Sequence, residues 1–258
     1  MEMAVIGAAR PWAPLARNAG IGVVSCAVDA ADGDRFVSLG IEQVSGFPQF
    51  FERLEFPRIH LLDLPPGPVV DQVIDTAYVT MEPGDLVVDA TASYWGDTLR
   101  RWRRMRHRSI FYLDLAEAAG GLWVAGDGRG VELARPLLER LAGAGRLVVA
   151  GEAGAAHYAA MVRDGFVAAL DHARSEAQQL LEAYPGGLDS AAVLPHLAPP
   201  LAGGSRADWI LDDALQLRAA VPAMAQAVML RLAEALDAHD LEEPQPRLGP
   251  FVRPDDLG

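Results

Sequence analysis

The stretch "DLVVDATASYWGDTLRRWRRMRHRSIFYLDLA", residues 85–116, holds two short apolar runs separated by a segment rich in arginine. Short apolar runs such as DLVVDATA and SIFYLDLA are typical of strands buried on both faces. The segment between them, from about Asp97 to Met105, has the length and composition of a helix. A strand, a helix and a second strand in this order predict a right-handed βαβ unit, whose two strands lie parallel in one sheet.

The same alternation extends over the first part of the chain. Further strands are predicted in the segments MAVIGAA, IGVVSCAVD, RIHLLDLPPG, LWVAGD and GRLVVAG. From about Gly154 the strand signal stops, and one long helical pattern continues to Pro185. We therefore expect an α/β fold: a Rossmann-like, doubly wound, mostly parallel sheet over residues 1–153, followed by an all-α domain over 154–240. A Pro-rich, extended tail is expected over 241–258.

The net charge of the chain argues against nucleic acids and anionic membranes as partners. Its 258 residues carry a formal net charge of −13, which repels nucleic acid and anionic membranes. No apolar run approaches the roughly 20 residues that a membrane helix needs. With a single cysteine, Cys26, and no signal-peptide pattern, we expect a cytoplasmic protein that acts on a small molecule. The six histidines show no metal-ligand spacing, so no metal is expected.

Every one of the 22 basic side chains is arginine, and the chain contains no lysine. A Schiff base or a lysine general base is therefore excluded. Six of the arginines lie within residues 100–108. Anion binding is one interpretation of this run, but the acidity of the rest of the chain favours a solvated helix face.

Four stretches, in matching order and spacing, together resemble the 6-phosphogluconate dehydrogenase group of the β-hydroxyacid dehydrogenase superfamily. They are EPGDLVVDATASYWGDTLRR (82–101), LDLAEAAGGLWVAGDG (113–128), GEAGAAHYAAMVRDG (151–165) and SRADWILDDALQLRAAVPAMAQAVMLRL (205–232). The resemblance implies a nucleotide-binding domain followed by a helical domain that is buried in an oligomer interface. We accordingly expect a homodimer formed through the helical domain.

The nucleotide-binding turn departs from the family's pattern. That pattern is GxGxxG, whose glycines let the backbone approach a pyrophosphate at a helix N-terminus. Here the turn reads Gly7-Ala8-Ala9-Arg10-Pro11-Trp12, and only the first glycine remains. The resemblance places the remnant of a cofactor site at Gly7, Ala9, Arg10, Trp12 and, as a displaced ribose ligand, Asp29. We expect no cofactor, with NAD or NADP bound through an altered loop as the alternative.

The family's catalytic positions are also changed. In the resembled enzymes a helix lysine removes the hydroxyl proton as hydride leaves, and a glutamate helps to protonate the enediol. The matching positions here are Ala160 and Val167, and the asparagine that follows the lysine becomes Asp164. Neither alanine nor valine transfers a proton. We therefore expect that oxidative decarboxylation has been lost.

Three other residues are candidate acid/base groups. On a helix that starts near Gly154, His157 and Asp164 lie two turns apart on one face. Glu117 follows a strand at the edge where α/β sheets bind ligands. The alternative is that His157 packs locally, Asp164 pairs with an arginine and Glu117 is a solvated loop carboxylate.

Four residues are candidate substrate contacts, although packing at helix starts is the alternative interpretation: Ser93, Tyr94, Trp95 and Tyr158. The leading hypothesis is a repurposed enzyme with non-redox acid/base chemistry, such as elimination, isomerisation or cyclisation, on a small polar biosynthetic intermediate. One alternative is an NAD(P)-dependent oxidoreductase with an altered cofactor loop. The other is a catalytically dead binding or partner subunit.

Overall fold

The computed structural model describes residues 1–8, 11–182, 188–196, 209, 212, 215 and 222–237. These residues belong to two compact units, the first comprising Met1–Ala159 and the second beginning at Ala160. The predicted tail, 241–258, lies outside the described residues, and its extended form stays a prediction. Within the described ranges, none of the helices combines the length and the apolar character needed to span a bilayer.

The first unit is built on one sheet of eight strands. Their order is β3-β2-β1-β4-β5-β6-β7-β8, and every neighbouring pair is parallel except β6 and β7. The strands are β1 (Glu2–Gly7), β2 (Gly22–Cys26), β3 (Glu42–Gln43), β4 (Ile59–Asp63), β5 (Leu86–Asp89), β6 (Phe111–Ala118), β7 (Gly121–Gly126) and β8 (Leu147–Gly151). The predicted mostly parallel sheet is thus confirmed. The order in which successive strands are added reverses between β1 and β4.

Helices cover both faces of this sheet, as a doubly wound fold requires. They are α1 (Trp12–Asn18), α2 (Ala30–Ser38), α3 (Phe47–Arg53), α4 (Pro68–Thr80), α5 (Trp95–Arg106) and α6 (Gly128–Ala142). Because side chains alternate along a strand, Val5 joins a core with α1 and α6, whereas Ile6 joins a core with α3, α4 and α5. The apolar strand runs of the sequence reflect this burial on both faces.

The C-terminal part is helical, as expected. Helix α7 (Ala155–Glu182) starts in the first unit and continues into the second. The second unit also contains α8 (Ser190–Val193), a short 3₁₀ turn at Leu194–His196 and α9 (Pro222–Asp237). The expected domain boundaries and the homodimer formed through residues 154–240 stay predictions.

Helix α5 is fixed to its surroundings by one buried guanidinium. Arg101 is 1% exposed, and its Nε and Nη2 each donate to the Asp71 carboxylate of α4 at 3.2 Å. Its Nη1 donates to Ser93 Oγ at 2.8 Å and lies 3.7 Å from the buried Asp89 carboxylate. Arg101 therefore links α5, α4 and the end of β5.

The expectation that residues 100–108 form a solvated face is wrong for Arg101 and Met105, which are buried. Their spacing of four residues puts both on the inner side of α5. Two of the outer arginines also have partners, since Arg100 pairs with Asp71 at 3.0 Å and Arg104 pairs with a second α4 carboxylate, Asp75.

Replacing Arg101 should destabilise the protein strongly. In Arg101→Met, Asp89 would stay buried without its cation, and breaking such a pair costs about 3–5 kcal/mol. Urea unfolding would measure the loss. The exposed Arg103→Met is the matched control on the same helix and should change the free energy of unfolding by less than about 1 kcal/mol. Equal losses in the two variants would contradict the anchoring role.

A buried histidine in β4 makes the stability of the fold depend on pH. The ring of His60 packs against those of Phe47 and Phe50, with centroid distances of 5.7 and 5.6 Å. Its Nδ1 lies 3.3 Å from the Leu86 carbonyl, and Nε2 is buried without a hydrogen-bond partner among the described residues. Burial lowers the pKa of His60 from 6.5 to about 4, although the charge of Asp85 opposes the shift.

We expect the free energy of unfolding to fall as the pH is lowered from about 6.5 to 4. Since the folded pKa of His60 lies below its unfolded value, the neutral ring contributes stability above pH 6.5, and this is lost toward the folded pKa. At pH 4 the loss from His60 is about 3 kcal/mol. Denaturation of His60→Leu should show a flatter profile over this range, whereas the exposed control His107→Leu should keep the wild-type slope.

Candidate functional site

Three buried aspartates lie at the carboxyl edge of neighbouring strands. Asp63 and Asp89 are the last residues of β4 and β5, and Asp114 of β6 lies opposite Asp89. In doubly wound sheets, ligands bind at this edge, next to the point where the strand order reverses. Sequence reasoning missed these residues, although the signal was present: the three apolar runs IHLLD, LVVD and FYLD all finish on aspartate.

The start of helix α7 donates three backbone hydrogen bonds to the carboxylate of Asp114. Its Oδ1 accepts the backbone N–H of Gly154 at 2.7 Å, and its Oδ2 accepts those of Ala156 and His157 at 2.9 and 3.0 Å. Burial raises the pKa of Asp114, while the charge of His157 and these amides oppose the rise. Asp114 thus acts as the cap of α7 and has no free oxygen for chemistry.

His157 is engaged locally. The residue is fully buried, and its Nδ1 lies 2.7 Å from Thr98 Oγ1 of α5. Asp164, further along the same helix, pairs with Arg163 at 2.9 Å. Seven residues of α-helix rise about 10 Å, which is longer than a hydrogen bond. The two predicted acid/base residues therefore do not share a proton, and each has a local partner.

Glu117 lies at the expected edge. It is the exposed, penultimate residue of β6 and pairs with Leu122 in the antiparallel β6–β7 hairpin. Its negative charge contributes to raising the pKa of Asp63. Of the three predicted acid/base residues, Glu117 is the one that acts electrostatically on Asp63.

The four predicted substrate contacts lie at the starts of α5 and α7. Ser93 is buried, and its hydroxyl oxygen lies 2.6 Å from Thr91 Oγ1. The same oxygen accepts a hydrogen bond from Arg101 Nη1 of α5. The ring of Trp95 packs at 5.6 Å from that of Tyr94 and edge-on at 5.5 Å from that of Tyr158. Tyr94 and Trp95 are 1% and 8% exposed, so their main contacts are with the protein itself.

Of the three aspartates at this edge, Asp63 has the fewest hydrogen-bond donors and cations around its carboxyl group among the described residues. One of its oxygens accepts the backbone N–H of Trp12, whereas Oδ2 is buried without a hydrogen-bond partner among the described residues. Burial raises the pKa of Asp63 from 3.8 to about 7; the Trp12 amide opposes this rise, and the charges of Asp32 and Glu117 add to it. The carboxyl group is therefore partly protonated at neutral pH.

The turn that follows β1 is tight. Gly7 has φ +116°, and a Cβ there would lie 2.1 Å from the Asp63 carbonyl oxygen, so only glycine fits. Ala8 donates its N–H to the same oxygen. The glycine predicted from the remnant motif thus has a conformational role, whereas Ala9 and Arg10 lie outside the described residues.

The start of α1 has few donors for a phosphate. Pro11 precedes the helix and Pro14 lies in its first turn, and neither has an N–H. Asp63 already accepts from Trp12, which leaves the N–H of Ala13 in that turn. The Trp12 side chain packs in the core. Asp29 accepts from the N–H of Asp32 at 2.8 Å as the cap of α2.

Comparison of the amino-acid sequence with known proteins identifies relatives of this chain. YqeC of Bacillus subtilis, provisionally named a 6-phosphogluconate dehydrogenase, is 26% identical over 83% of this chain and 84% of its own length. The decarboxylating 6-phosphogluconate dehydrogenase of Bacillus licheniformis is 31% identical, but the match spans 52% of this chain and only 30% of that protein.

Solved structures share the fold. The Mycobacterium tuberculosis 3-hydroxyisobutyrate dehydrogenase superposes with a TM-score of 0.75 at 18% identity, covering 93% of this chain and 96% of that one. Residues 2–151 match the family model described as the NAD binding domain of 6-phosphogluconate dehydrogenase. The chain therefore belongs to the 6-phosphogluconate dehydrogenase family.

Proposed function

We propose that this protein performs non-redox acid/base chemistry on a small polar molecule, with Asp63 as the proton-transfer group. The observation that carries the proposal is a buried carboxyl group at the switch between β1 and β4, with one oxygen unpartnered among the described residues. Its pKa of about 7 allows the group to donate and accept protons at neutral pH. Such perturbed groups cluster at functional sites.

Glu117 completes a pair of carboxyl groups in different surroundings. Asp63 is desolvated and holds its proton near neutrality, whereas Glu117 is exposed to water. Two carboxyl groups in such different surroundings can divide the roles of acid and base. Elimination, isomerisation and cyclisation need only such proton transfers and no hydride. In this proposal His157 and Asp164 have structural roles, since they are held by Thr98 and Arg163.

Two observations weigh against the family's oxidative reaction. The chain has no lysine, and the positions matching the lysine and glutamate of the resembled enzymes are Ala160 and Val167. In addition, the residues described at the start of α1 do not fit a pyrophosphate. The Asp63 carboxylate already accepts the Trp12 amide at the start of α1, and its negative charge would repel a phosphate there. Pro11 and Pro14 have no N–H to donate to a phosphate.

An NAD(P)-dependent oxidoreductase is the second candidate. The match of residues 2–151 to an NAD binding domain favours it, as does the tight conformation of Gly7 after β1. Binding of a dinucleotide would then have to involve contacts other than those of the first turn of α1.

We expect no reduction of NAD or NADP when the protein is incubated with 6-phosphogluconate, because the amine base is absent. Titration with NADH or NADPH, followed by tryptophan fluorescence, should show dissociation constants above about 1 mM in the wild type. Asp63→Asn should bind up to about tenfold more tightly at pH 8, since one repulsive charge is removed. Turnover of 6-phosphogluconate by the wild type would overturn the proposed function and support the second candidate.

The Asp63 carboxyl carbon should titrate near pH 7 in ¹³C NMR spectra. Because the folded pKa lies above the unfolded value of 3.8, the stability contributed by the protonated group is complete below pH 3.8 and is lost as the pH rises through 7. Asp63→Asn should therefore gain stability over wild type progressively from pH 4 to 8, by at most about 4 kcal/mol. The exposed Asp34→Asn serves as the matched control and should show no such gain.

A further inference from the structure

We propose that a cavity at the amino edge of the sheet binds a small organic cation, an ammonium group carried on an apolar body. The cavity has a volume of about 460 Å³ and lies at the starts of β1 and β4, whose first residues, Glu2 and Ile59, line it. Asp63 lies at the other end of β4, on the carboxyl edge. The inference therefore goes beyond the proposed function and does not depend on it.

The size and the apolar lining of the cavity suit a small molecule. Leu133 and Leu137 line it from α6, and Ile59 and Phe56 line it from β4 and the segment before β4. Leu133 and Phe56 are 39% and 59% exposed, so a ligand can reach both side chains. Small-molecule sites have volumes of about 300–1,000 Å³ and are lined mostly by apolar side chains. An apolar body thus finds surface to cover here.

Two carboxylates decide the charge of the ligand. Glu2 and Glu55 both line the cavity and are exposed, and neither side chain has an ion pair or a hydrogen bond within the described part of the chain. The basic group of the described lining is the α-amino group of Met1, which the two carboxylates outnumber. An ammonium group donates charge-assisted hydrogen bonds to such carboxylates, whereas an anion is repelled by them.

The segment that carries Glu55 and Phe56 is held in place by its neighbours. The backbone N–H of Arg58 donates to Asp85 Oδ1 at 3.3 Å, and its guanidinium pairs with the same buried carboxylate at 3.1 Å. The ring of Phe56 lies against Gly84, where an added Cβ would come within 2.6 Å of the ring. A cavity lined by fixed groups loses less conformational entropy when a ligand binds.

The test compares three aromatic probes of similar size and different charge: 2-phenylethylammonium chloride, 2-phenylethanol and sodium phenylacetate. Each is titrated into the full chain at constant ionic strength, while ¹H–¹³C NMR follows the leucine methyl resonances. We expect the ammonium probe to shift the Leu133 methyls saturably and to bind about five- to tenfold more tightly than the alcohol. The anion should bind more weakly than the alcohol. The methyls of Leu15 on α1, 40% exposed and outside the described lining, should not shift.

Variants of the lining separate the contribution of charge from that of apolar contact. Glu2→Gln and Glu55→Gln should each weaken binding of the ammonium probe about two- to threefold and leave the alcohol unchanged, and the double variant should bind both probes equally. The matched control is Glu52→Gln, an exposed glutamate of α3 outside the described lining, which should change neither affinity. Phe56→Ala should weaken all three probes alike, because it removes apolar surface and no charge.

Three outcomes would overturn this inference. Equal affinities of the wild type for the three probes would exclude a cation as the preferred class of ligand. Leu133 methyls that stay unshifted up to about 20 mM of the ammonium probe would exclude the cavity as its site. A loss of affinity in Glu52→Gln as large as that in Glu55→Gln would assign the attraction to the net charge of the chain. The titration of Asp63 tests the proposed function separately, so each can fail without the other.

Discussion

The burial of carboxylates along one edge of the sheet is the constraint on which the rest of this structure depends. A carboxylate removed from water is costly unless cations or hydrogen-bond donors replace its hydration. Asp89 receives Arg101, Tyr112 and Thr91, which bring α5 and β6 to the end of β5. Asp114 receives three amides and fixes the start of α7. The placement of two helices thus follows from the compensation of two charges.

Asp63 differs from its neighbours in the direction of its side chain. Strand residues alternate between the faces of a sheet, and Leu62, not Asp63, lies opposite Asp89. Asp63 therefore points toward α1, which has two prolines near its start and supplies a single amide. The face toward α5 provides an arginine, whereas none of the described residues provides a cation that acts on Asp63 from the face toward α1. Asp89 and Asp114 thus have partners that replace their hydration, whereas among the described residues Asp63 has only the Trp12 amide.

The sequence predicts the fold well because hydrophobic patterns are local. Apolar runs predicted seven of the eight strands, and their alternation with helices predicted the parallel sheet. The strand that was missed, β3, consists of two exposed polar residues and has no apolar run. Contacts between distant segments are not local. The spacing of His157 and Asp164 predicts a shared helix face, but Thr98 lies 59 residues from His157 and cannot be inferred from that spacing. The burial of Arg101 was missed for the same reason, since its Asp71 partner lies 30 residues away.

The absence of lysine limits which groups can transfer protons at neutral pH. Arginine stays charged in proteins, so none of the 22 basic side chains can serve as a neutral base. His157 has its Nδ1 engaged with Thr98, and His60 is buried in the core against two phenylalanine rings. Among the residues described at this edge of the sheet, carboxyl groups are then the candidates for proton transfer, and burial is what moves a carboxyl pKa to neutrality. Leaving Asp63 short of donors lowers the stability of the ionised protein, and the same shortage gives the edge of the sheet a group that can exchange a proton near pH 7.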